Sequence, residues 1–369
     1  RTSNFNTRQN GYDISADVLG YPESYYTPPA EALEKIEIIR GAASLQYGTQ
    51  FGGLINFIIK KPSQIKGNRY CIRNTRGSNS FFNNFSSING SNKTVSYYAF
   101  INYKKGDGFR DNSNFESTNS YINITKNINN KLTASFEFTS LEYLAKQAGG
   151  LNDRMFKEDP LQSNRTRNWF KVNWLLYNLK LKFSQSENTL HTLSLFGLDA
   201  ERFALGYRSN RVNQEDPMNE RDLIYGEFNN FGAEYKTLFK KDIYNKKIAS
   251  LIGLKFYRSK NTSQQGAGSE NVDADFNFYP NLYPTYSNQS SYKYPNMNIA
   301  LFGESVIYLN DNLSITPGLR FEYIDTKSDG NYYKMLFDNA NNFIFDTIVY
   351  NKTNNKRDFI LFGLGLSYK

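Results

Sequence analysis

The sequence is poor in the residues on which much protein chemistry depends. It has one cysteine, Cys71, and one histidine, His191. A single cysteine excludes an internal disulfide and a cysteine-based metal site. A single histidine leaves almost no room for a zinc cluster, a histidine-based triad or bis-histidine haem ligation. Acidic residues such as Asp107, Asp111 and Glu116 come without a histidine partner or an activated nucleophile. The sequence therefore predicts a protein that is not an enzyme and has no cofactor or metal ion of its own.

Long hydrophobic runs are also missing. The mean hydropathy is −0.63, and no segment approaches the roughly 20 consecutive apolar residues of a transmembrane helix. Tyrosine (28) and phenylalanine (29) are abundant, whereas tryptophan (2) and methionine (4) are scarce. Mean hydropathy does not reveal a transmembrane β-barrel, because only every second residue of its strands faces lipid. Such a barrel also carries aromatic girdles at both membrane interfaces. The composition is therefore compatible with a membrane protein.

The formal net charge is +9. Such a charge is typical of proteins that bind nucleic acid, anionic lipid or an anionic ligand. No helix concentrates the positive charge and no nucleic-acid-binding motif accompanies it. We therefore expect no nucleic-acid partner, and favour anionic lipid, such as lipopolysaccharide, or an anionic ligand.

From Gly67 onward, apolar and polar residues alternate with a period of two in many short segments. This pattern is typical of strands with one apolar and one polar face, as in a barrel wall. A large soluble β-sandwich would show the same alternation. The clearest examples are 94–103, 131–141, 178–184 and 313–323.

The connections between these segments separate the two alternatives. Short turns, near 90–93, 127–130, 186–189, 240–246 and 310–312, alternate with long polar segments. The long segments are 105–117, 142–167, 206–228, 260–296 and 327–356. A barrel of hairpins produces this rhythm, whereas the crossing connections of a sandwich do not. We therefore predict about twelve antiparallel strands between residues 67 and 368.

One stretch near the N-terminus stands apart from this pattern. Residues 33–62, LEKIEIIRGAASLQYGTQFGGLINFIIKKP, hold two apolar strand-like runs around a middle segment punctuated by Gly41, Gly48, Gly52 and Gly53. Glycines there allow positive φ or close backbone approach. The stretch resembles the end of the plug domain of TonB-dependent outer-membrane receptors, with Ala42 where that family commonly has proline. Taken alone, it could also be an ordinary two-strand motif with turn glycines.

The resemblance implies a fold and a function for the whole chain. The fold would be mainly all-β: residues 1–64 would be the C-terminal part of a plug and residues 65–369 the N-terminal part of a transmembrane antiparallel β-barrel. The barrel would be incomplete, with about twelve of the about 22 strands of plugged transporters. The protein would be a piece of a longer receptor in the outer membrane of a Gram-negative bacterium, energised by the TonB complex of the inner membrane.

The resemblance also implies a cargo. The run NTRQNGYDISADVLGYPESYYTPPAEAL, residues 6–33, is similar to plugs of the ferric-citrate-type receptors. The expected ligand is therefore a ferric chelate, such as ferric citrate or a siderophore. The alternatives are another cargo (haem, cobalamin, a glycan or a peptide) or a passive porin-like channel.

Three charged residues form a candidate latch between plug and barrel. Arg40 interrupts an apolar run, and the resemblance implies an ion pair between its guanidinium and glutamates of the inner wall. Glu304 and Glu322, each on a strand similar to wall strands of the family, are the expected partners. A buried arginine–carboxylate cluster is costly to break from one side. The alternative is a solvated surface pair.

Four further residues are candidate ligand contacts. Gln50 matches a position that faces the ligand in ferric-citrate-type receptors, although it could equally bond local backbone. Arg202, Arg208 and Arg211 lie in a basic, aromatic-flanked segment, and a second such segment is 154–167. Arginine binds carboxylates through two parallel hydrogen bonds, which suits an anionic chelate. Lipopolysaccharide contact or plain solvation are the alternatives for each arginine.

Overall fold

The computed structural model describes residues 5–15, 26–39, 45–48, 53–209, 211–243, 246–340 and 342–368. These residues form two β-sheets, so the chain is mainly β as predicted. The smaller sheet has the order β2-β1-β4-β3. Strand β1 runs parallel to β4, and the other two pairs are antiparallel. Its strands are β1 (Phe5–Gln9), β2 (Tyr12–Asp13), β3 (Leu33–Ile39) and β4 (Gly53–Ile59), with single 3-10 turns at Ala30–Ala32 and Leu45–Tyr47.

The larger sheet has twelve strands, each hydrogen-bonded to the next in the chain. Every pair is antiparallel, which confirms the predicted wall of about twelve hairpin-connected strands and contradicts the sandwich alternative. We refer to this sheet as the wall. Its strands are β5 (Gly67–Arg76), β6 (Phe82–Ser91), β7 (Val95–Gly106), β8 (Phe115–Asn127), β9 (Leu132–Lys146), β10 (Trp169–Ser186), β11 (Thr189–Gly206), β12 (Asp222–Ile243), β13 (Lys246–Ala267), β14 (Ser290–Tyr308), β15 (Leu313–Phe337) and β16 (Phe343–Tyr368).

Because neighbouring strands run in opposite directions, successive connections lie at opposite edges of the wall. The long connections 107–114, 147–168, 207–221 and 268–289 share one edge, and the short turns 92–94, 128–131, 187–188 and 309–312 share the other. We call these the long-loop edge and the short-turn edge. Segment 147–168 contains helix α1 (Asp153–Glu158), capped by Asn152, whose side chain accepts a hydrogen bond from the Met155 amide.

One of the predicted long loops is largely strand. Strand β15 continues to Phe337 and β16 begins at Phe343, so segment 327–356 is mostly a two-stranded extension with a short turn. The prediction of a loop there was wrong because both faces of the extension mix apolar residues, such as Ile344 and Phe345, with polar ones, such as Asn351 and Lys352. Its two strands are hydrogen-bonded although neither alternates clearly, and periodicity cannot reveal such strands.

The two faces of the wall differ in the exposure of their apolar side chains. On β10, Val172, Trp174 and Leu176 are buried against the smaller sheet, whereas Leu175 and Leu179, which point the other way, are each 38% exposed. The same alternation places exposed apolar side chains on the outer face of the other strands, among them Ile101, Ile122, Phe136, Phe231, Leu254, Leu301, Phe321 and Phe362. An outer face of this kind suits contact with lipid.

The main apolar core lies between the smaller sheet and the inner face of the wall. Tyr12, Ile14 and Tyr26 pack in one buried cluster with wall residues that include Trp174 and Phe196. None of the helices in the described part of the chain is long and apolar enough to cross a membrane.

Candidate functional site

The contact between the smaller sheet and the wall is rich in buried polar groups. A tight turn between β1 and β2 contacts the inner face of the wall. Its residues Asn10 and Gly11 have φ of 48° and 85°. An Asn-Gly pair tolerates these left-handed conformations and is a strong hairpin signal. Asn10 Nδ2 donates to Glu137 Oε2 at 2.6 Å, and Lys180 Nζ donates to the Asn10 carbonyl at 2.7 Å. Strands β9 and β10 therefore form a polar socket for this turn.

Arg8 is the most completely buried charge of the contact. Its side chain is 0% exposed and its guanidinium lies 3.4 Å from the Glu234 carboxylate. It also donates to the Asn6 side chain at 2.9 Å and to the Gly11 carbonyl at 2.8 Å. Burial alone would lower the pKa of Arg8, but the charges of Glu234 and Asp13 more than offset this and raise it. Arg8 is therefore fully charged where it meets the wall.

A second buried ion pair joins Asp13 to Lys255 at 2.6 Å. Burial would raise the pKa of Asp13, but Lys255 and then Arg8 hold it well below its usual range. On the wall side, Lys236 Nζ lies 2.5 Å from Glu234. Arg8 interacts electrostatically with both Glu234 and Asp13, so the two ion pairs belong to one network of alternating charge. Sequence analysis missed Arg8 and Asp13, because both lie in a polar stretch that resembles an ordinary turn.

The 3-10 turn Leu45–Tyr47 forms a further contact with the wall. Its Gln46 amide donates to Glu304 Oε1 at 2.9 Å, and Arg320 Nη1 donates to the Leu45 carbonyl at 3.1 Å. Arg320 Nε in turn lies 2.8 Å from Glu322 Oε2. Both predicted wall glutamates are thus at or next to this contact, and each has a described partner.

Several predicted residues of the stretch 33–62 lie outside the described residues. These are Arg40, Gly41, Gln50 and Gly52, so the Arg40 latch and the Gln50 contact stay predictions. Gly48 and Gly53 are described, with φ of 110° and 98°.

The structure places two of the three predicted ligand arginines at one cavity and the third outside it. Arg202 and Arg208 line the same cavity of about 410 Å³ near the long-loop edge, together with Gln147 and Asn168. Arg208 Nε also lies 3.3 Å from Asp222 Oδ2. Arg211 is exposed and does not line the cavity. The Asn168 side chain bonds the backbone of Tyr207, so the cavity offers two guanidinium groups and the Gln147 amide to a ligand.

Two arginines of the second basic segment, 154–167, are buried in the structure. Arg165 and Arg167 are 5% and 0% exposed. Arg167 lies 2.5 Å from Asp216, and it donates to the Asn219 and Glu270 carbonyls at 3.0 and 2.8 Å. These bonds tie three of the long connections together, so Arg167 is a structural residue rather than a free ligand contact.

Asp216 and Arg221 also take part in the contacts between the long connections. Burial would raise the pKa of Asp216, but its hydrogen bond with Arg167 more than offsets this and lowers it. Arg221, also 0% exposed, donates to the Ser269 and Asp273 carbonyls at 2.9 and 2.7 Å. The arginines thus fix the long loops relative to one another.

A resident metal site is not apparent in the part of the chain that the structure describes. No group of three or more histidine, cysteine or acidic side chains comes together there. The His191 ring instead bonds to Tyr235 Oη and Gln185 Oε1, both at 2.8 Å.

Comparison with known proteins places the fold. No protein-family model and no curated protein sequence matches the chain. Among solved structures, the ferric citrate transporter FecA in its unliganded form is similar with a TM-score of 0.77 and 15% identity, over 100% of this chain and 52% of that one. The ferric yersiniabactin uptake receptor FyuA from Yersinia pestis has a TM-score of 0.70 and 12% identity, over 91% and 50%.

The copper transporter OprC is also similar, with a TM-score of 0.68 and 15% identity, over 99% of this chain and 52% of that one. The chain therefore spans about half the length of these structures. At such low identity the likeness concerns the fold and does not identify a cargo.

Proposed function

From the premise that this chain has the fold of a TonB-dependent outer-membrane receptor, we propose that the protein takes up an anionic ferric chelate across the outer membrane of a Gram-negative bacterium. The TonB complex of the inner membrane would supply the energy. Proteins of this fold transport their ligands without covalent chemistry, so binding and gating are the functions to explain.

The observation that carries this proposal is the smaller sheet seated on the inner face of the wall by buried ion pairs. Breaking a buried pair from one side is costly, so the pairs of Arg8 and Asp13 hold the sheet in place. The contact also contains the apolar cluster of Tyr12, Ile14 and Tyr26, but its buried polar groups can be rehydrated when the sheet moves. We therefore assign residues 1–64 to a movable plug and residues 65–369 to the wall. The gap between β4, which ends at Ile59, and β5, which begins at Gly67, is in keeping with this boundary.

The proposal of an anionic chelate as cargo is supported by the cavity that Arg202 and Arg208 both line. Guanidinium groups bind carboxylates with paired hydrogen bonds, and the carboxylates of a ferric citrate or siderophore complex supply such partners. The outer apolar face supports a second set of partners, the lipids and lipopolysaccharide of the outer membrane.

A passive channel is the less favoured function. A porin needs an open water-filled lumen, whereas here the plug residues contact the wall from β6, through Asn83 and Glu31, to β15, through Arg320 and Leu45.

The test uses the full-length receptor in a strain that lacks its own ferric citrate uptake. We expect growth on ferric citrate as the sole iron source, and loss of that growth when the TonB complex is deleted. Arg202→Gln combined with Arg208→Gln should weaken ferric citrate binding by about tenfold or more, since two charge-assisted contacts are lost. Arg154→Gln is the matched control, because Arg154 is 75% exposed and its ion pair among the described residues is with Glu158 of its own helix. TonB-independent growth would refute active uptake.

A further inference from the structure

A second basic cavity lies between the plug and the wall, far from Arg202 and Arg208. It has a volume of about 590 Å³ and is lined by the end of β4 and by strands β7 to β10. The wall residues that line it include Ser96, Thr133 and Lys182, which all lie close to short turns. The cavity therefore lies at the short-turn edge, at the opposite end of the wall from the first one.

The lining of this cavity carries an excess of positive charge. It contains five lysines and two glutamates, which leaves a formal charge of +3. One lysine is paired within the plug, since Lys35 Nζ lies 2.7 Å from Glu37. The remaining lysines are Lys60, Lys61, Lys180 and Lys182.

Two of these lysines are held by groups that cannot cancel their charge. Lys60 Nζ donates to the Glu31 carbonyl at 2.6 Å, and Lys180 Nζ donates to the Asn10 carbonyl at 2.7 Å. A carbonyl is a dipole, so each lysine keeps its full positive charge. Both carbonyls belong to the plug, whereas Lys180 and Lys182 belong to wall strand β10. When the plug moves, the Asn10–Gly11 turn leaves its socket, and the charged wall residues that remain in the lining are Lys180, Lys182 and Glu137, with a net formal charge of +1.

We propose that this cavity is an exit site for the anionic cargo, formed by Lys180 and Lys182 of the wall. This inference rests on the proposed function and adds a second binding position to it. In the resting state the Lys180 ammonium group is hydrogen-bonded to the Asn10 carbonyl. Displacement of the plug frees Lys180 beside Lys182, and the two ammonium groups then bind the chelate as it leaves the outer site. The carbonyl thus makes the exit site available only when the gate is open.

The first test separates binding from transport in cells that express the full-length receptor. Energy-depleted cells report the binding of ⁵⁵Fe-labelled ferric citrate at the outer site, and energised cells report its uptake. Lys180→Gln combined with Lys182→Gln should leave binding unchanged and slow uptake by about threefold to tenfold, as expected when two charges leave a confined path. Lys126→Gln is the control, because Lys126 is exposed at the same edge but does not line the cavity. Unchanged uptake by the double variant would overturn the exit site.

A second measurement does not depend on the cargo. Thr133→Cys, in a Cys71→Ser background of the purified full-length receptor, places a thiol in the cavity lining. We expect an anionic sulfonatoethyl methanethiosulfonate to react faster than its cationic trimethylammonium counterpart, and Lys182→Gln to reduce that ratio about threefold. A ratio that Lys182→Gln leaves unchanged would overturn the exit site. If wild-type cells take up no ferric citrate while the ratio behaves as expected, the proposed cargo fails and the anion site stands.

Discussion

Arg8 is a residue whose removal should loosen the plug. Arg8→Ala breaks the buried pair with Glu234, and loss of one partner of such a pair costs about 3 kcal/mol or more. We expect the lower end of that range, since Lys236 remains 2.5 Å from Glu234. A loosened plug should raise the permeability of the outer membrane to large antibiotics such as vancomycin, measured as growth inhibition of cells with the full-length receptor.

Lys35→Ala is the matched control for this change. Lys35 also pairs with a glutamate, Glu37, but their side chains are 58% and 36% exposed. Exposed pairs contribute little to stability. Equal antibiotic sensitivity of the Arg8 and Lys35 variants would show that the buried network does not hold the plug.

The Asp13–Lys255 pair predicts how plug attachment depends on pH. The pKa of Asp13 in the folded protein is lowered, so its stabilising contribution is present above its unfolded pKa, about 3.9. That contribution is lost as the pH falls through the folded value. In urea titrations of the purified receptor, wild type should therefore exceed Asp13→Asn in unfolding free energy by a constant amount above about pH 5. The difference should shrink below about pH 4; a difference that grows on acidification would contradict this assignment.

The residues of the buried network also mark the limit of what sequence could predict. Arg40 attracted attention because it interrupts an apolar run. Arg8 is surrounded by polar neighbours, so no local contrast marks it as buried, and its partner Glu234 is 226 residues away. Burial at this site is decided by the packing of two sheets, which a local pattern does not encode. Glu304 and Glu322 were proposed because their strands resemble wall strands of the receptor family, and both strands, β14 and β15, lie in the wall.

At the scale of elements, glycines and aromatic rings lie side by side on neighbouring wall strands. Phe196 is directly opposite Gly232, Phe302 is opposite Gly253, and Tyr177 is opposite Gly197. In each pair the ring covers the space that a Cβ on the glycine would occupy. Such pairs protect a glycine in a strand and help to fix the register.

We therefore expect Gly232→Ala to destabilise the wall by about 1–3 kcal/mol, the usual cost of overpacking, because the buried ring of Phe196 must move. The measurement is the urea midpoint of the purified receptor in detergent. Gly303→Ala is the control, since a Cβ there would meet its nearest atom, the Leu251 carbonyl oxygen, at 3.6 Å. Equal midpoints for the two variants would contradict a role of the ring in packing.

The elements were predicted well where apolar and polar residues alternate and poorly where each face mixes the two. The spans 94–103 and 313–323 alternate, and both lie in strands, apart from the residue before β7. Residues 327–337, in contrast, extend β15 beyond the region that alternates. There the strand is held by its hydrogen-bonded partner β16, a long-range property that sequence periodicity does not report.

At the scale of the whole molecule, the two edges of the wall should lie on opposite sides of the membrane. The long connection 268–289 and the short turn 92–94 lie at different edges. In intact cells, with Cys71→Ser as background, a membrane-impermeant maleimide should label Asn271→Cys strongly and Lys93→Cys only after the outer membrane is permeabilised. Equal labelling of both sites before permeabilisation would refute the sidedness.

Contacts within the wall join strands that are neighbours in sequence, whereas contacts between the plug and the wall join residues that are far apart in sequence. This difference predicts an order of folding. Every wall strand pairs with its sequence neighbour, so hairpins can form one after another at a low entropic cost of loop closure. The contacts of the plug are remote in the chain: Asn10 meets Glu137 and Lys180, and Arg8 meets Glu234. Because β9, β10 and β12 supply these partners, the plug has no complete binding surface until those strands are formed. Plug docking must therefore follow wall assembly, although the plug is the first part of this sequence to be synthesised.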